Sequence, residues 1–333
     1  MRLCAAFAMR PDLPRRLFDG KAMADITRLA DLYPVVVDDF ARPGLADVLD
    51  EVAVLLTGWN CPLLDAAALN RMPRLRAVLH AAGTVKAHVT EEVFRRGIVV
   101  STAADANALP VAEYTMSMIL LSGKGAFRLQ HDYRRLRTAL DLTGGYPTVG
   151  NNGRRVGIVG ASRIGRRVIE LLRPFDLEVR VFDPYLTDQD ARRLEVTKTG
   201  LDELVARSEV ISLHAPSLPE TCHLFDRRRL GLIPDGATLI NTSRGALVDA
   251  AALTAELASG RIFAVLDVTD PEILPVASPL YDLPNVVLTP HIAGALGNEL
   301  LRLGRAAADE LGRVATGQPL AHPVTAGDLA RSA

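Results

Sequence analysis

Short apolar segments alternate with helix-like segments along the first hundred residues. The apolar segments are bounded by Pro, Gly, Asp or Asn, and we expect strands at residues 3–8, 35–37, 52–56, 77–79 and 98–100. Helical patterns lie between them, at residues 63–70 and 91–96. Continuous apolar strands alternating with helices are typical of a parallel sheet covered on both faces. The pattern therefore predicts one α/β unit in this part of the chain.

A second alternation of strands and helices begins at residue 155. Six strand candidates follow one another, at residues 155–159, 178–182, 209–213, 237–240, 263–266 and 286–288. Helical patterns separate several of them, at residues 164–172, 201–207 and 250–259. Six parallel strands are enough for a doubly wound sheet, so the pattern predicts a second α/β unit.

Two longer helices and two loops complete the pattern. Helices are expected at residues 110–121 and 297–316, where apolar side chains recur at helical spacing. Residues 141–152 are rich in Gly, Asn, Thr and Pro and are interpreted as an exposed loop. The last segment, after residue 316, is also expected to be a loop.

Composition is that of a globular protein of about two domains. The chain has 333 residues, of which 49% are hydrophobic and 23% charged. Thirty-eight basic and 39 acidic residues leave a net charge of −1, so there is no overall basic field to hold a polyanion or an acidic membrane. Nucleic acid and membrane are therefore not expected as partners.

Neither targeting segments nor metal-binding cysteines are evident. The longest later apolar segment, residues 111–121, is shorter than the roughly 20 residues that cross a bilayer. The apolar start of the chain is interpreted as a strand rather than a signal peptide, so a cytoplasmic location is expected. Cys4, Cys61 and Cys222 are far apart and form no Cys-x-x-Cys pair, so we interpret them as buried thiols and expect no metal.

The strand at residues 155–159 leads into a glycine-rich turn and then a helical pattern. The turn reads Gly160-Ala161-Ser162-Arg163-Ile164-Gly165. Strand, turn and helix are the setting of a dinucleotide-binding fingerprint, in which glycines allow a tight turn and close approach to a pyrophosphate. Ser162 replaces the second glycine of this pattern, which weakens the motif and leaves a plain turn as the alternative.

The next predicted strand ends in Asp183, 18 residues after Gly165. An acid at this spacing is placed to accept hydrogen bonds from a ribose. A 2′-phosphate would meet a like charge there, and no Arg follows directly to compensate. The sequence therefore favours NAD over NADP, with a strand-terminal Asp of no such function as the alternative.

Six segments together resemble one family. They occur in order at residues 107–113 (NALPVAE), 160–165, 214–216 with Thr221, 240–249 (INTSRGALVD), 266–268 with 271–272, and 289–294 (TPHIAG). With them the chain resembles the D-isomer-specific 2-hydroxyacid dehydrogenase family, and within it the NAD-dependent enzymes of phosphoglycerate or glycerate dehydrogenase type.

The resemblance implies a catalytic set of Arg244, Glu272 and His291. A guanidinium such as that of Arg244 can hold the carboxylate and polarise the carbonyl of a 2-oxo acid. His291 would be the general acid or base, and Glu272 would stabilise its imidazolium form and fix its orientation. Asp270 is an alternative to Glu272 in the same loop, although the pair Pro271-Glu272 matches the family pattern.

The resemblance also implies contacts to the cofactor, residue by residue. Gly160, Ser162, Arg163, Ile164 and Gly165 would lie at the pyrophosphate, and Asp183 at the ribose. The remaining contacts divide between the adenine side, with Pro216 and Thr221, and the nicotinamide side, with Thr242, Ser243, Asp267 and His291. Asp267 has the alternative of capping a strand end.

The match is weaker where the family binds the substrate carboxylate. The family has a glycine-rich loop followed by Asp-Asn, whereas this chain has Lys86-Ala87 at that point. Gly83, Thr84 and Val85 are still expected to donate amides to the carboxylate. Trp59, the only tryptophan, is a candidate for the pocket wall, with packing at a loop base as the alternative.

The fold implied is a Rossmann NAD-binding domain at residues 106–292, inserted into a flavodoxin-like substrate domain at residues 1–105 and 293–333. Substrate would enter between the domains, and the family suggests a homodimer formed through the helix after Val111 and the loop up to Asn152. The function implied is interconversion of a small D-2-hydroxy acid and its 2-oxo acid with NAD(H).

Two alternatives to this function remain open. One is hydride transfer from another small anion, such as phosphite; formate is disfavoured because formate dehydrogenases of this superfamily pair the histidine with Gln rather than Glu. The other is an NAD(H)-sensing binding protein resembling the corepressors called C-terminal binding proteins.

Overall fold

The computed structural model describes residues 2–331, which form two compact units. One unit is Ala108–Gly294; the other is the chain up to Asn107 together with the chain from Ala295 onward. The expected domain boundaries were 105/106 and 292/293, and the expected extents include Met1, Ser332 and Ala333, which lie outside the described residues.

Helices and strands alternate along most of the chain. The first stretch contains β1 (Leu3–Ala8), α1 (Pro14–Leu17), α2 (Gly20–Leu29), β2 (Ala30–Leu32), α3 (Ala46–Glu51), β3 (Val54–Thr57), α4 (Ala66–Asn70), β4 (Ala77–His80), α5 (Glu91–Arg95) and β5 (Val99–Thr102). The next contains α6 (Ala104–Gly123), α7 (Ala126–Leu136), β6 (Arg154–Val159), α8 (Arg163–Leu172), β7 (Leu177–Phe182), α9 (Asp188–Leu194), β8 (Thr197–Lys198), α10 (Leu201–Arg207), β9 (Val210–Leu213), α11 (Arg227–Leu232), β10 (Thr238–Asn241), α12 (Ala250–Ala258), β11 (Phe263–Leu266) and β12 (Val286–Leu288). The last contains α13 (Leu300–Ala315), β13 (Pro323–Val324) and α14 (Ala326–Arg331).

The discontinuous unit is built on one sheet. Its strands lie in the order β2-β1-β3-β4-β5, all parallel, and β13 pairs antiparallel with β5 at the edge. The order 2-1-3-4-5 is that of flavodoxin-like folds. The expectation of a flavodoxin-like α/β unit is therefore confirmed.

Alternation along β1 explains why both faces of this sheet are covered. Phe7 belongs to a core shared with α1, α2 and α13, whereas Ala6 and Ala8 belong to a core on the opposite face. All three side chains are buried, because successive residues of a strand point to opposite faces. Helices on both faces are what a parallel sheet requires.

Two expectations for this unit are wrong. The second strand is Ala30–Leu32 rather than residues 35–37, where Val37 makes only a single bridge to Ala8. Pro34 lacks an amide hydrogen and interrupts the apolar stretch. The true strand contains Asp31, so it lacks the continuous apolar pattern from which a buried strand is predicted. The last segment is not a loop, since it contains β13 and α14.

The continuous unit is built on a seven-stranded parallel sheet. Its strands lie in the order β8-β7-β6-β9-β10-β11-β12. Numbered from the first strand of the unit, this is 3-2-1-4-5-6-7, which contains the Rossmann order. The doubly wound sheet is therefore confirmed, with β8 as a strand that the sequence pattern missed, because its two residues are polar and exposed.

The strand order reverses between β6 and β9, which lie side by side. In open α/β sheets, ligands bind outside the carboxyl ends of the strands at such a switch point. A ligand is therefore expected against the segments that follow β6, β7, β9, β10 and β11.

Cysteine burial and helix length bear on two other expectations. Cys61 is buried and Cys4 is partly buried, but Cys222 is exposed, so the expectation of three buried thiols is wrong for Cys222. Within residues 2–331, no helix is both long and apolar enough to cross a bilayer.

Candidate active site

The turn after β6 can be made only by glycine at two positions. Gly160 has a φ of +99°, and a Cβ there would lie 2.7 Å from the backbone nitrogen of Ala215. A Cβ on Gly165 would lie 2.0 Å from the carbonyl oxygen of Gly160. The backbone of β6, the turn and the start of α8 is therefore packed as closely as a dinucleotide-binding turn requires.

Ser162 does not disturb this turn. Its φ of −66° and ψ of −178° are ordinary extended values, so the position has no conformational need for glycine. The Ser162 Oγ accepts a long hydrogen bond, 3.4 Å, from the amide of Gly165 and thereby caps α8. Arg163 is exposed and Ile164 partly buried in the first helical turn. The amides at this helix N-terminus fit a pyrophosphate.

Asp183 follows β7 and lies against the same turn. Its Oδ2 accepts from the amide of Ala161 at 2.7 Å, and its Oδ1 accepts from the amide of Tyr185 at 2.7 Å. A carboxylate has about four lone-pair sites, so two remain for ribose hydroxyls. The fixed carboxylate and the glycine turn together fit an adenosine dinucleotide.

The segment after β9 carries the two residues expected on the adenine side. Thr221 Oγ donates to the Pro216 carbonyl at 2.6 Å and accepts from the amide of Leu218 at 2.8 Å. These bonds close a short 3-10 turn, Pro219–Thr221. His214, at the start of the segment, is buried, and burial lowers its pKa to about 3.

Thr242 and Ser243 follow β10 and are both fixed by hydrogen bonds. Thr242 Oγ lies 3.0 Å from Thr115 Oγ of α6. Ser243 Oγ donates to the carbonyl of Ala215 at 2.8 Å, so the segments after β9 and β10 are tied together.

Arg244 lies on a tightly held loop. The Asn241 side chain accepts from the Ser243 amide at 3.0 Å and donates to the Arg244 carbonyl at 2.9 Å. A Cβ on Gly245 would lie 2.1 Å from the carbonyl carbon of Thr269, so this loop packs directly on the loop after β11. Burial lowers the pKa of Arg244, and the nearby charge of Glu272 opposes that effect. An arginine nevertheless stays protonated, so the site contains a partly desolvated cation.

His291 and Glu272 form a close pair. His291 Nδ1 lies 2.6 Å from Glu272 Oε1, and both side chains are about half exposed. Glu272 is held by its carbonyl, which accepts from Thr269 Oγ at 3.1 Å. Of the two acids considered for this loop, the structure places Glu272 against the imidazole.

Asp267 fixes the segment that carries His291. It is 1% exposed, and its Oδ1 accepts from Thr289 Oγ at 2.6 Å and from the Ile292 amide at 2.8 Å. Its Oδ2 accepts from the Ala293 amide at 2.9 Å. The His291 amide donates to the Asp267 carbonyl at 2.9 Å while His291 has a φ of +54°. These bonds support the strand-end interpretation of Asp267; its contact to nicotinamide stays a prediction.

Sequence reasoning missed Tyr114 as part of this network. Its hydroxyl lies 2.9 Å from Thr289 Oγ, which in turn donates to Asp267. Thr289 is marked by the TPHIAG segment, of which it is the first residue. Tyr114 has no such signal, because its partner is 175 positions away in the sequence.

The expected substrate residues lie in the other unit, after β3 and β4. Trp59 is 40% exposed, and Thr84 is exposed on the loop after β4. Among residues 2–331, the amides of Gly83, Thr84 and Val85 donate no hydrogen bond. Three successive amides without acceptors are suited to an anion such as a carboxylate.

Comparison with known proteins identifies the relationship. Residues 116–293 match the family described as D-isomer specific 2-hydroxyacid dehydrogenase, NAD binding domain. The glyoxylate reductase of Aeropyrum pernix is 33% identical over 307 residues, covering 87% of this chain and 89% of that protein. The chain belongs to the D-isomer specific 2-hydroxyacid dehydrogenase family.

Other members of the family differ in length. The D-3-phosphoglycerate dehydrogenase of Mycobacterium leprae is 30% identical over 303 residues, which are 90% of this chain but 56% of that protein. The chain thus spans little more than half the length of the phosphoglycerate dehydrogenase. A phosphoglycerate oxidoreductase from Rhizobium etli has a closely similar structure, with a TM-score of 0.82, 25% identity and 98% of each chain covered.

Membership of the family settles the cofactor class and the fold of the continuous unit. This unit contains the family's NAD-binding domain, so the Rossmann expectation and the NAD expectation are confirmed. No cluster of three or more potential metal-ligating side chains occurs in the part of the chain that the structure describes.

Proposed function

We propose that the protein is an NAD(H)-dependent oxidoreductase that interconverts a small D-2-hydroxy acid and its 2-oxo acid. The observation that carries this proposal is the His291–Glu272 pair, 2.6 Å apart, in a unit that also holds Arg244 beside the charge of Glu272. Reduction of a 2-oxo acid needs a cation, a general acid or base, and a carboxylate that orients that acid or base.

Arg244 would bind the substrate carboxylate and polarise its carbonyl. Its guanidinium is planar and can donate in parallel to two oxygens. Partial burial strengthens such an interaction, because water competes less for the donors. The hydrogen bonds of Asn241 and the close approach of Gly245 hold the loop in place before substrate binds.

His291 would move the proton. Because Nδ1 faces Glu272 Oε1, Nε2 is the nitrogen left to face a substrate oxygen. In the reductive direction Nε2–H donates its proton to the developing alkoxide, and in the oxidative direction Nε2 accepts the hydroxyl proton. Glu272 stabilises the imidazolium formed in that second case.

The cofactor would be held by the residues at the carboxyl ends of the Rossmann strands. They are Gly160, Ser162, Arg163, Ile164, Gly165 and Asp183, together with Pro216, Thr221, Thr242, Ser243, Asp267 and His291. When bound there, NAD(H) supplies the hydride donor or acceptor.

We assign Gly83, Thr84 and Val85 to the substrate carboxylate, with Trp59 as a wall of the pocket. Support comes from the three amides, which have no acceptor among residues 2–331. The unit that contains them would then be the substrate domain.

Turnover of a panel of 2-oxo acids tests the proposal. We expect oxidation of NADH, followed at 340 nm, with at least one acid in a series from glyoxylate and pyruvate to bulky aromatic acids. NADH binding without turnover of any acid would contradict the proposal. In that case phosphite with NAD is the next assay, and failure there leaves a cofactor-sensing binding protein.

Arg244→Lys tests the mechanism, since lysine keeps the charge but loses the planar pair of donors. We expect kcat/KM for the preferred acid to fall by about 10²-fold or more, with the Kd for NADH unchanged. Arg227→Lys, on the exposed side of α11, is the matched control. Full activity in Arg244→Lys and also in Arg244→Ala would rule out this role.

A homodimer is the second part of the proposal. None of the side chains of α7 is buried, although Tyr133 and Leu136 of this helix and Leu142 beyond it are large and apolar. Exposed apolar side chains gathered along one segment are typical of an interaction surface. A cytoplasmic location stays a prediction.

A further inference from the structure

Two buried histidines lie behind the loop that carries Gly83, Thr84 and Val85. His80 is the last residue of β4 and His88 follows the loop, and each is 3% exposed. Their rings are 4.6 Å apart between centroids. Neither imidazole belongs to the Arg244 and His291 machinery, since both lie in the discontinuous unit.

His80 is linked to the neighbouring strand through Thr57. β3 and β4 end side by side, with Thr57 opposite His80 in the register of the sheet. His80 Nδ1 lies 2.9 Å from Thr57 Oγ, and Thr57 is fully buried. The Thr57 carbonyl accepts from the Ala81 amide at 2.8 Å, so the imidazole is fixed against β3 where the loop begins.

The same imidazole is linked to the loop itself. Burial, together with neighbouring His88, lowers the pKa of His80 well below its usual value, while a hydrogen bond to the backbone of Thr84 opposes this. A hydrogen bond that raises the pKa of a base is one in which the base donates, so the acceptor is the Thr84 carbonyl. Because Nδ1 faces the Thr57 hydroxyl, Nε2 is the nitrogen left to face the backbone of Thr84.

His88 packs against His80. Burial lowers the pKa of His88 to about 4, so it too is neutral near pH 7. Its amide donates to the Val85 carbonyl at 3.1 Å and its carbonyl accepts from the Leu64 amide at 2.8 Å. Both ends of the loop are thus fixed, while the amides between them are left for a ligand.

We propose that His80 is a positioning residue, which holds the Gly83–Thr84–Val85 amides in the arrangement that binds the substrate carboxylate. The imidazole does this by joining Thr57 of β3 to Thr84 of the loop. The inference rests on the proposed function, because it takes the carboxylate as the ligand of these amides. It adds a role for a neutral buried base that does not itself contact substrate.

Thr57→Val tests the proposal with least disturbance, because valine keeps the shape of threonine and removes only the hydroxyl. We expect KM for the preferred 2-oxo acid to rise about tenfold, with kcat within about threefold and the Kd for NADH unchanged. His80→Leu should raise KM further, and His80→Asn, which can still donate and accept, should lie between wild type and His80→Leu. Thr254→Val removes a comparable hydroxyl that donates to Ala250 in α12, and should change neither constant.

Hydrogen exchange separates positioning from a merely structural role. In Thr57→Val we expect faster amide exchange in peptides covering residues 81–88 and unchanged exchange at residues 289–294. Tm should fall by only a few degrees, because one buried nitrogen of His80 loses its partner. An unchanged KM together with unchanged exchange at residues 81–88 would overturn the proposal. So would exchange that rises equally in both segments, because that indicates general destabilisation.

Failure of the proposed function can be told apart from failure of this inference. If wild type binds NADH but turns over no 2-oxo acid, the function is wrong. In that case we would compare the Kd of oxamate, a non-reducible carboxylate, between wild type and Thr57→Val. This comparison tests the role of His80 without turnover. Weaker oxamate binding by the variant supports the role of His80, and equal binding or none overturns it.

Discussion

Asp183 is a single carboxylate that holds the turn after β6 and that, in the proposed function, selects the cofactor. Its two oxygens hold the amides of Ala161 and Tyr185, so the negative charge cannot swing away from a bound ribose. A 2′-phosphate in the same place would be repelled by that fixed charge. We therefore propose that the preference for NAD arises from these backbone hydrogen bonds as well as from the acid itself.

Asp183→Asn should weaken this preference. The amide oxygen can still accept one hydrogen bond, but the charge is lost. We expect the ratio of the Kd for NADPH to the Kd for NADH to fall by about tenfold, measured by fluorescence titration. Asp188→Asn, at the exposed start of α9, is the control and should leave the ratio unchanged. An unchanged ratio in Asp183→Asn would show that the cofactor is selected elsewhere.

At the scale of elements, the proposed function depends on how closely two loops approach. The loop that carries Arg244 packs on the loop after β11, and Gly245 makes this approach possible. Glu272 follows in that second loop, and its charge acts on Arg244. Loop contact therefore sets the distance between the catalytic candidates.

Gly245→Ala should separate these loops. A Cβ would lie 2.1 Å from the backbone of Thr269, so one loop must shift, and we expect a loss of about 1–3 kcal/mol in the free energy of unfolding. The dehydrogenase activity should fall as well, because the shift moves the loop that carries Arg244 or the loop that carries Glu272. Gly231→Ala is the control, since a Cβ there meets nothing within 4 Å in α11, and helix propensity predicts a gain of about 0.5–1 kcal/mol. Urea unfolding measures the free energy of unfolding of both variants. Equal stability of the two variants would contradict this account of Gly245.

Buried histidines should make stability depend on pH. Burial lowers the pKa of His88 to about 4 and that of His214 to about 3, from an ordinary value of 6.5. Between about pH 4 and 6.5 the unfolded chain therefore binds protons that the folded chain does not. The free energy of unfolding should fall as pH drops through this range, by about 1.4 kcal/mol per pH unit for each such histidine.

His88→Phe isolates one contribution, because it keeps a ring in a site where Nε2 has no partner among the described residues. Between pH 4.5 and 6 we expect the slope of unfolding free energy against pH to decrease by about 1.4 kcal/mol per unit. His131→Gln, on the exposed surface of α7, should leave the slope unchanged. An unaltered slope in His88→Phe would mean that His88 is protonated in the folded state.

The positions of most helices and strands could be predicted from the sequence, because the pattern that indicates each of them is local. Strands such as β6 and β9 are short apolar runs, buried on both faces, so composition alone marks them. β2 and β8 lack such runs, and their pairing depends on neighbours distant in sequence. The pairing of His291 with Glu272 followed from the family pattern, whereas the contacts of Tyr114 with Thr289 and of His80 with Thr57 arise only once the chain is folded.

At the scale of the whole molecule, one unit is assembled from both ends of the chain. Helix α13 packs on α1 and α2, and Gly304 allows this because a Cβ there would lie 1.8 Å from the Leu17 carbonyl oxygen. Buried Glu310 of α13 accepts hydrogen bonds from the amides of Ala321 and His322. These bonds hold the chain directly before β13, which pairs with β5. The sequence after residue 295 is therefore needed to cover a sheet that was begun near the N-terminus.

The segment after α6 buries few of its apolar side chains within its own chain. Tyr146 donates to Asp132 of α7 at 2.8 Å, and the Arg128 guanidinium lies 4.9 Å from the centre of the Tyr146 ring. These contacts fold the loop back on α7, while Leu142 is 60% exposed. In the proposed homodimer, a second copy of the chain would cover these exposed apolar side chains.

Leu142→Glu should therefore shift the protein from dimer to monomer. Placing a charge in an apolar interface costs several kcal/mol in association free energy, so a dimer that persists at micromolar concentration should dissociate. Light scattering after size exclusion should give about twice the chain mass of 35.9 kDa for wild type and a single chain mass for the variant. Val276→Glu is the control, because Val276 is 98% exposed and lies outside this segment. A monomeric wild type would contradict the proposed homodimer. If the Leu142→Glu variant is still a dimer, the interface lies on another face.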